Sequence, residues 1–369
     1  MSIEDPRDGL RKIKQVIEQP QEFLFGLKRV AEDVGMALAT PMVKDGRRGK
    51  EYAQAHTMLE DVPGTGKTAL FNYFAAAIRA KLGRVDGRPD MMPSDLTGRE
   101  EKDKHSGIRT LLKGPLFSHI LFGDEFNRTP PKSQAPLLGA MEGSKVIINV
   151  TDEKKGRINP KAFRLYPIPK DIHRRAFFIV FATMNPLDFE GTYPLSEAQM
   201  ERFTYKLSMG VPSWEEEKMI RAINVMGKTV KVVMSVSELL DIQGLVAKIE
   251  LSKHAVELRQ RYLANSRPLS QDMREFGAQQ KKPASKNLRN FINEYVTLGC
   301  SRRRNFHMEA AAKAHAFMRG EFKTASIDDV KAIAHMTMEH VIQLDPRSFG
   351  DYISTRDIVE MIIKETPMP

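Results

Sequence analysis

The feature that most constrains the fold is a glycine-rich loop between a short apolar strand and a helix. The predicted strand is His56–Glu60, the loop reads DVPGTGKT over residues 61–68, and the ALFNYF segment that follows is predicted to be helical. Glycines let several backbone N–H groups point at one phosphate chain, and the helix N-terminus adds partial positive charge. Lys67 is expected to reach the β- and γ-phosphates and the Thr68 hydroxyl to bind Mg²⁺. The candidate nucleotide-binding residues are therefore Val62, Pro63, Gly64, Thr65, Gly66, Lys67, Thr68 and Ala69.

The first position of this loop departs from the usual pattern of phosphate-binding loops. Asp61 stands where the first glycine is expected. Gly64 and Gly66 still permit the close approach of the backbone to a phosphate, but a carboxylate beside a polyphosphate repels it. A chain that binds ATP as a scaffold and rarely hydrolyses it therefore stays an alternative hypothesis, and Asp61 is its support.

Two further apolar segments end in polar residues of the kind that nucleotide hydrolysis needs. Ile120–Gly123 runs into Asp124 and Glu125, and Phe177–Thr183 is followed closely by Asn185. Asp124 is expected to hold Mg²⁺, Glu125 to act as the general base, and Asn185 to contact the γ-phosphate and the attacking water. Strands that alternate with helices in this way predict a parallel sheet with helices on both faces.

The rest of the chain predicts a second, helical domain. At 369 residues the chain is longer than one core usually serves. The pattern is helical from about Val211 onward, which predicts an α/β domain over 1–210 and a helical domain over 211–369. A single cysteine excludes a disulfide framework and a multi-cysteine metal site, and no window approaches 18 uninterrupted apolar residues. We therefore expect a cytoplasmic protein with no membrane insertion.

Several motifs in this order resemble the MoxR group of AAA+ ATPases. The Walker A motif is DVPGTGKT at 61–68, Walker B lies in GPLFSHILFGDEFNRTPPKSQAPLLGAMEG at 114–143, and sensor 1 lies in FATMNPLDFEGTYPLSEAQMERF at 181–203. GCSRR at 299–303 is similar to the lid motif of the group. The resemblance runs from about Phe23 to Ile342. It implies a AAA+ P-loop NTPase domain with a five-stranded parallel sheet, followed by an all-α lid.

The resemblance also implies roles for residues that the sequence pattern alone does not explain. Members of the group form rings, usually hexamers, that bind and hydrolyse ATP with Mg²⁺ between subunits. Arg202 matches the arginine finger, which reaches the γ-phosphate of the neighbouring subunit, and Arg303 matches the sensor-2 arginine. Because residues 302–304 are all arginines, a shift of one position in this match would assign the sensor-2 role to Arg302 or Arg304. Gly26 lies where the group places a turn beside the adenine.

The stretch from Gly143 to Arg175 is longer and more basic than the compact hairpin of the group. KVIINV at 145–150 and KAFRLYPI at 161–168 are predicted as its two strands, with TDEKKGRIN at 151–159 as the tip. Such a hairpin commonly faces a central pore or a partner. A solvated loop is the open alternative.

The function implied by the resemblance is that of an ATP-driven, chaperone-like remodeller or maturation factor for protein complexes. A protein with a von Willebrand factor A domain is the implied partner. The formal net charge of +10 keeps open the alternative of a AAA+ nucleic-acid motor or remodeller that uses the basic lid and hairpin. A basic surplus between Lys253 and Arg304 places much of that charge in the lid, which favours contacts with ATP and partners.

Overall fold

The computed structural model describes most of the chain, namely residues 2–21, 27–46, 49–60, 67–103, 105–106, 108–151, 157–165, 176–184, 192–193, 195–208, 230–276 and 284–369. The chain divides into two units, Met1–Leu195 with Leu207–Gln243, and Ser196–Lys206 with Gly244–Pro369. The predicted domain boundary at residues 210–211 lies outside the described residues and stays a prediction.

Strands and helices alternate over the first two hundred residues. The helices are α1 (Pro6–Gln21), α2 (Lys28–Ala39), α3 (Lys67–Ala77), α4 (Pro93–Thr97), α5 (Pro131–Gly143) and α6 (Glu197–Met200). The strands are β1 (Pro41–Gly46), β2 (Gly49–Gln54), β3 (Thr57–Glu60), β4 (Leu82–Asp86), β5 (Gly98–Lys102), β6 (Arg109–Lys113), β7 (Ile120–Asp124), β8 (Lys145–Thr151), β9 (Ile158–Arg164), β10 (Ile179–Met184) and β11 (Tyr205–Ser208).

A five-stranded sheet carries the candidate site, with the strand order β11–β3–β10–β7–β4. The pairings of β3 with β10, β10 with β7, and β7 with β4 are all parallel. Ile120, Leu121 and Phe122 of β7 are all fully buried, so both faces of this strand are covered. That burial is why the strand reads as a continuous apolar run. The prediction of an α/β fold with a parallel five-stranded sheet is confirmed.

Helix α3 packs on this sheet through aromatic rings. The ring of Phe71 lies 4.7 Å from the ring centroids of both Phe122 on β7 and Phe181 on β10. All three side chains are fully buried. Ring pairs at this separation add to the free energy gained from buried area. The packing fixes the start of α3 against the two central strands.

Two antiparallel hairpins follow α4 and α5 in the chain. β8 pairs with β9 from Lys145 opposite Arg164 to Thr151 opposite Ile158, which confirms the predicted hairpin. β9 begins within the segment predicted as the tip. β5 pairs with β6, and the Glu100 carboxylate of β5 accepts from Arg109 Nη1 at 3.2 Å and from the Thr151 N–H at 3.1 Å. This carboxylate joins the two hairpins.

The remaining elements are mostly helical, as predicted for this part of the chain. The helices are α7 (Val236–Ala247), α8 (Lys253–Asn265), α9 (Leu269–Phe276), α10 (Lys286–Tyr295), α11 (Arg304–Met318), α12 (Ile327–Met338), α13 (Arg347–Gly350) and α14 (Thr355–Glu365). Short strands β12 (Glu250–Leu251), β13 (Val296–Leu298), β14 (Thr324–Ala325) and β15 (Gln343–Leu344) pair between them. None of the helices within the described ranges is long and apolar enough to cross a membrane.

A buried carboxylate joins the end of α11 to the start of α12. Asp329 accepts from Arg319 Nε and Nη2, both at 2.9 Å, and from the Ser326 N–H at 2.7 Å. His315 Nδ1 lies 2.7 Å from the same carboxylate. Burial alone would raise the pKa of Asp329, but the hydrogen bonds from His315 and Arg319 hold it well below its usual range. The capping box that Ser326 and Asp329 form at the start of α12 is therefore also a link between two helices.

We expect Asp329→Asn to lower the free energy of unfolding by about 2 kcal/mol, since this buried position loses the negative charge that pairs with the Arg319 guanidinium. Because the folded pKa is lowered, the stabilisation is present above the unfolded pKa of about 4 and disappears as the pH falls below it. Urea unfolding at pH 7 and at pH 3 measures both effects. A difference between wild type and variant that does not shrink at pH 3 would contradict the charge pairing.

Candidate functional site

The carboxyl ends of the parallel strands meet at one edge of the sheet. β7 ends at Asp124, and Asp86 at the end of β4 lies opposite it in the register. β10 ends one strand further across, at Met184. Ligands of open parallel sheets bind outside the carboxyl ends of the strands. The predicted catalytic carboxylates therefore lie where such a site is expected.

Helix α3 begins with three of the predicted phosphate-binding residues. Lys67, Thr68 and Ala69 form its first turn, so their backbone N–H groups belong to a helix N-terminus. Lys67 Nζ lies 4.0 Å from Asp124 Oδ1, and both side chains are largely buried. Partial burial strengthens this attraction relative to a surface pair. The fold thus brings the lysine of the loop and the acid of β7 together.

The Asp124 carboxylate has a partner on each oxygen. The Thr183 hydroxyl donates to Oδ1 at 2.7 Å, and the guanidinium of Arg84 on β4 lies 3.9 Å from Oδ2. Arg84 Nε also lies 2.8 Å from Asp86 Oδ1. The hydroxyl donor and the nearby positive charges hold this carboxylate in place, and carboxylate oxygen atoms are ligands that divalent cations take.

Glu125 is held by its backbone in an unusual conformation. Its φ of 46° and ψ of 44° lie in the left-handed region, which costs free energy in a residue other than glycine. Its N–H donates to the Thr183 hydroxyl at 2.8 Å, and the carbonyl oxygen of Asp124 accepts from the Gly87 N–H at 2.7 Å. A Cβ at Gly87 would lie 2.1 Å from the Glu125 carbonyl oxygen, so glycine is required there.

The Glu125 side chain points towards Arg128. The two lie on one turn, with Arg128 Nε 3.2 Å from Glu125 Oε2, and both are about one-third exposed. A carboxylate in this position is accessible to water and oriented by a cation. Glu125 therefore has the exposure that a general base requires.

Three residues of this cluster do not follow from the sequence patterns. Thr183 and Arg84 become visible only when β10, β4 and β7 are placed side by side, and the contact of Arg128 with Glu125 depends on the turn that follows β7. Thr183 carries a faint signal, since a hydroxyl at the carboxyl end of a predicted buried strand is aimed at the same edge as the acids. Arg84 carries no such sequence signal, because arginine is common in the exposed positions of short strands.

The residues present fit a Mg²⁺ ion that is shared with a nucleotide. Within the part of the chain that the structure describes, no group of three or more His, Cys, Asp or Glu side chains could hold a metal. Mg²⁺ is usually bound by one or two carboxylates together with substrate phosphates and water. The Asp124 carboxylate and the Thr68 hydroxyl would supply the protein oxygen atoms.

Arg202 lies in the second unit, directly after the one-turn helix α6. The helix begins with a capping box, in which Ser196 and Gln199 satisfy each other's backbone N–H groups. Arg202 Nη1 donates to the Ala198 carbonyl oxygen at 2.9 Å. The predicted finger therefore follows a helix end that is locally fixed.

The three consecutive lid arginines have different environments. Arg302 and Arg303 are exposed, whereas Arg304 is fully buried. The N–H of Arg303 donates to the Ser301 hydroxyl at 3.2 Å. An exposed side chain is accessible to a nucleotide. The exposure of Arg303 is therefore compatible with its predicted sensor-2 role, which stays a prediction.

The neighbouring Cys300 is fully buried, and burial raises the pKa of its thiol to about 11. Such a thiol is a small packing residue.

Several predicted site residues lie outside the described residues. These are Gly26, Asp61, Val62, Pro63, Gly64, Thr65, Gly66 and Asn185. Their predicted roles stay predictions.

Comparisons with known proteins agree with the fold and the motifs. A model of the "ATPase family associated with various cellular activities (AAA)" matches residues 56–163 and 168–205, and an "AAA lid domain" model matches residues 289–362. The chain is 28% identical to Chaperone MoxR1 of Mycobacterium tuberculosis over 368 residues, which cover 99% of this chain and 86% of that protein. The matches to AAA models and the similarity to a protein named MoxR1 identify the group that the chain resembles, the MoxR group of AAA+ ATPases.

Two further relatives cover most of the chain. It is 29% identical to the uncharacterized protein YeaC of Bacillus subtilis over 324 residues, which cover 86% of each protein. A crystal structure from Cytophaga hutchinsonii matches with a TM-score of 0.77 at 28% identity, and the match covers 99% of this chain and 97% of that one. The AAA model and these relatives support nucleotide binding and ATPase activity for this chain.

We expect Thr183→Val to lower kcat for ATP at least about tenfold, because Asp124 and the Glu125 backbone both lose the hydroxyl that joins them. Thr183→Ser keeps the hydroxyl and should retain most of the rate. Thr57→Val is the matched control, since Thr57 on β3 is equally buried and its hydroxyl bonds only a local carbonyl. Steady-state phosphate release measures all three. Equal rates for Thr183→Val and Thr57→Val would show that the hydroxyl has no such role.

Proposed function

We propose that this protein is a Mg²⁺-dependent ATP hydrolase that works as a homo-oligomeric ring, most simply a hexamer, and remodels or matures protein complexes. The observation that carries the proposal is the cluster at the sheet edge. There Lys67, Asp124 and Glu125 come together around the hydroxyl of Thr183.

ATP binding would use the loop at 62–66 and the first turn of α3. The N-terminus of α3 offers backbone N–H groups and partial positive charge to the phosphates. Lys67 would place its ammonium on the β- and γ-phosphates, and Thr68 and Asp124 would hold Mg²⁺. The bound ion would neutralise the charge that develops on the phosphates during hydrolysis.

Hydrolysis would use Glu125 as the general base. Its carboxylate accepts a proton from the attacking water, and Asn185 orients that water. The Arg128 guanidinium, 3.2 Å away, orients the carboxylate. Thr183 holds the backbone of Glu125 and the carboxylate of Asp124 in a fixed relation, so the base and the Mg²⁺ ligand keep their spacing.

Arg202 would complete the site of a neighbouring subunit in the ring. An arginine suits this role because its guanidinium is always charged and offers a planar fork of donors to the γ-phosphate. Arg303 would sense the nucleotide from the lid. Hydrolysis would then depend on assembly, which links ATP turnover to the ring.

The clients would be protein complexes in the cytoplasm, reached through a partner with a von Willebrand factor A domain. The name Chaperone MoxR1 of a relative supports a role on proteins. The β8–β9 hairpin offers apolar surface for such contacts, since Ile147 and Ile158 are both about two-thirds exposed.

Glu125→Gln should lower kcat at least about 100-fold while ATP still binds, because the amide cannot accept the proton. Glu101→Gln, on the exposed face of the β5–β6 hairpin, is the matched control and should leave the rate unchanged. Phosphate release gives kcat, and titration with a fluorescent ATP analogue gives Kd. An unchanged rate in Glu125→Gln would refute the assignment of the base.

The same variant with ATP can identify the client by affinity capture and mass spectrometry, with light scattering for the ring size. Enrichment of one protein complex, absent with ADP, supports the remodeller. Capture of nucleic acid in place of protein would favour the motor alternative.

Arg202→Ala should lower kcat by about 10³-fold or more with little change in the Kd for ATP, since an arginine finger acts on the transition state of a neighbour. Arg99→Ala, an exposed arginine of the β5–β6 hairpin, is the control. The measurements are phosphate release and equilibrium nucleotide binding. Loss of ATP binding in Arg202→Ala would contradict a finger that acts in trans.

A further inference from the structure

A fully buried arginine stands at the start of α11. Arg304 has no exposed surface and is among the largest fully buried side chains of the described residues. A buried guanidinium is costly unless charged and polar groups surround it. The groups that surround Arg304 therefore indicate which segment of the chain it stabilises.

The described partners of the Arg304 guanidinium lie on a single four-residue stretch. Nη2 lies 3.3 Å from Glu201 Oε2, and Nη1 donates to the carbonyl oxygens of Phe203 at 2.9 Å and Thr204 at 3.3 Å. Glu201 is itself mostly buried. Charge pairing and backbone hydrogen bonds thus act together on residues 201–204.

Two histidines of the same unit hold the same stretch. His340 Nε2 lies 3.0 Å from the Phe203 carbonyl oxygen, and His307 Nδ1 lies 2.9 Å from the Thr204 hydroxyl. Burial, and then the nearby Arg304, hold the pKa of His340 well below its usual range, so the ring is neutral and its Nε2–H donates. Side chains from α11 and from the turn after α12 therefore converge on residues 201–204.

Arg202 lies inside this stretch. Glu201 on one side and Phe203 on the other are both bonded to Arg304, so the backbone at Arg202 has little freedom. Residues 196–206 belong to the same unit as residues 244–369. The candidate finger is thus attached to the helical unit through side chains, although it precedes β11 in sequence.

We propose that Arg304 is a positioning residue for Arg202, which fixes the finger-bearing segment 201–204 to the helical unit. The inference rests on the proposed function, in which Arg202 serves the ATP site of a neighbouring subunit. Arg304 then differs in role from Arg303, although the two are adjacent. Its loss leaves the nucleotide site of its own subunit intact and impairs the site next to it.

The test variant is the double change Arg304→Met with Glu201→Leu. Removing both partners avoids an uncompensated buried charge, because apolar residues of similar volume often replace a buried ion pair without loss of stability. The matched control is Arg259→Met with Glu309→Leu. Arg259 is a second nearly buried arginine of the helical unit, and its Nη1 lies 2.6 Å from Glu309 Oε2 on α11.

Alone, the Arg304→Met/Glu201→Leu protein should lose at least about 100-fold in kcat, with a Kd for ATP within about threefold of wild type. Mixed with an excess of Glu125→Gln subunits, it should regain turnover, because each neighbour now supplies a correctly held Arg202. Arg202→Ala mixed in the same way should regain turnover as well. The Arg259→Met/Glu309→Leu control should turn over ATP without mixing.

The outcomes separate the inference from the function on which it rests. If Arg202→Ala regains no turnover on mixing, the finger does not act in trans, and the proposed function and the inference both fail. If Arg202→Ala regains turnover but the Arg304 double variant does not, or if the double variant alone turns over like wild type, only the inference is overturned.

A milder variant covers the case in which the double variant does not fold, as judged by thermal unfolding. Thr204→Val removes only the hydroxyl that bonds His307. It should lower kcat about threefold to tenfold, with rescue by Glu125→Gln subunits and unchanged ATP binding. Full activity of Thr204→Val, or a loss that mixing does not rescue, would contradict the inference in that case.

Discussion

The hydroxyl of Thr183 joins the two central strands where the candidate chemistry lies. It donates to Asp124 and accepts from the Glu125 N–H, so one small group fixes a carboxylate and the strained backbone of the next residue. The left-handed conformation of Glu125 depends on this bond and on the lack of a side chain at Gly87. A site that places a base and a Mg²⁺ ligand on consecutive residues needs such a constraint, since adjacent side chains otherwise point apart.

The helical unit relies on polar groups in a comparable way. Asp329 and Arg304 are both fully buried, and each accepts or donates to several neighbours at once. A buried ion pair often contributes no more to net stability than apolar packing of the same volume, but the loss of one partner leaves an uncompensated buried charge, so the partners are needed together. Asp329 fixes one helix to the next, and Arg304 fixes a stretch near residue 200 to helices a hundred residues later.

The motif order and the apolar strands could be read from the sequence with good accuracy. The strands containing Ile120 and Phe181 form within two residues of their predicted bounds, and the hairpin from residue 145 pairs as expected. Runs of buried residues have a strong signal because both faces of a parallel strand are covered. Ion pairs between distant residues leave no signal in the local sequence. Neither the contact of Arg84 with Asp124 nor that of Arg304 with Glu201 follows from any local pattern.

The sequence by itself determined the class of the fold, the family that the chain resembles, and the candidate residues for nucleotide binding. These follow from local requirements, namely glycines that approach phosphate, acids at strand ends and apolar periodicity. Only the tertiary structure distinguished Arg304, which is fully buried, from Arg302 and Arg303, which are exposed, since all three are arginines in the sequence. The burial of Arg304 and its partners a hundred residues away are set only when the chain is packed.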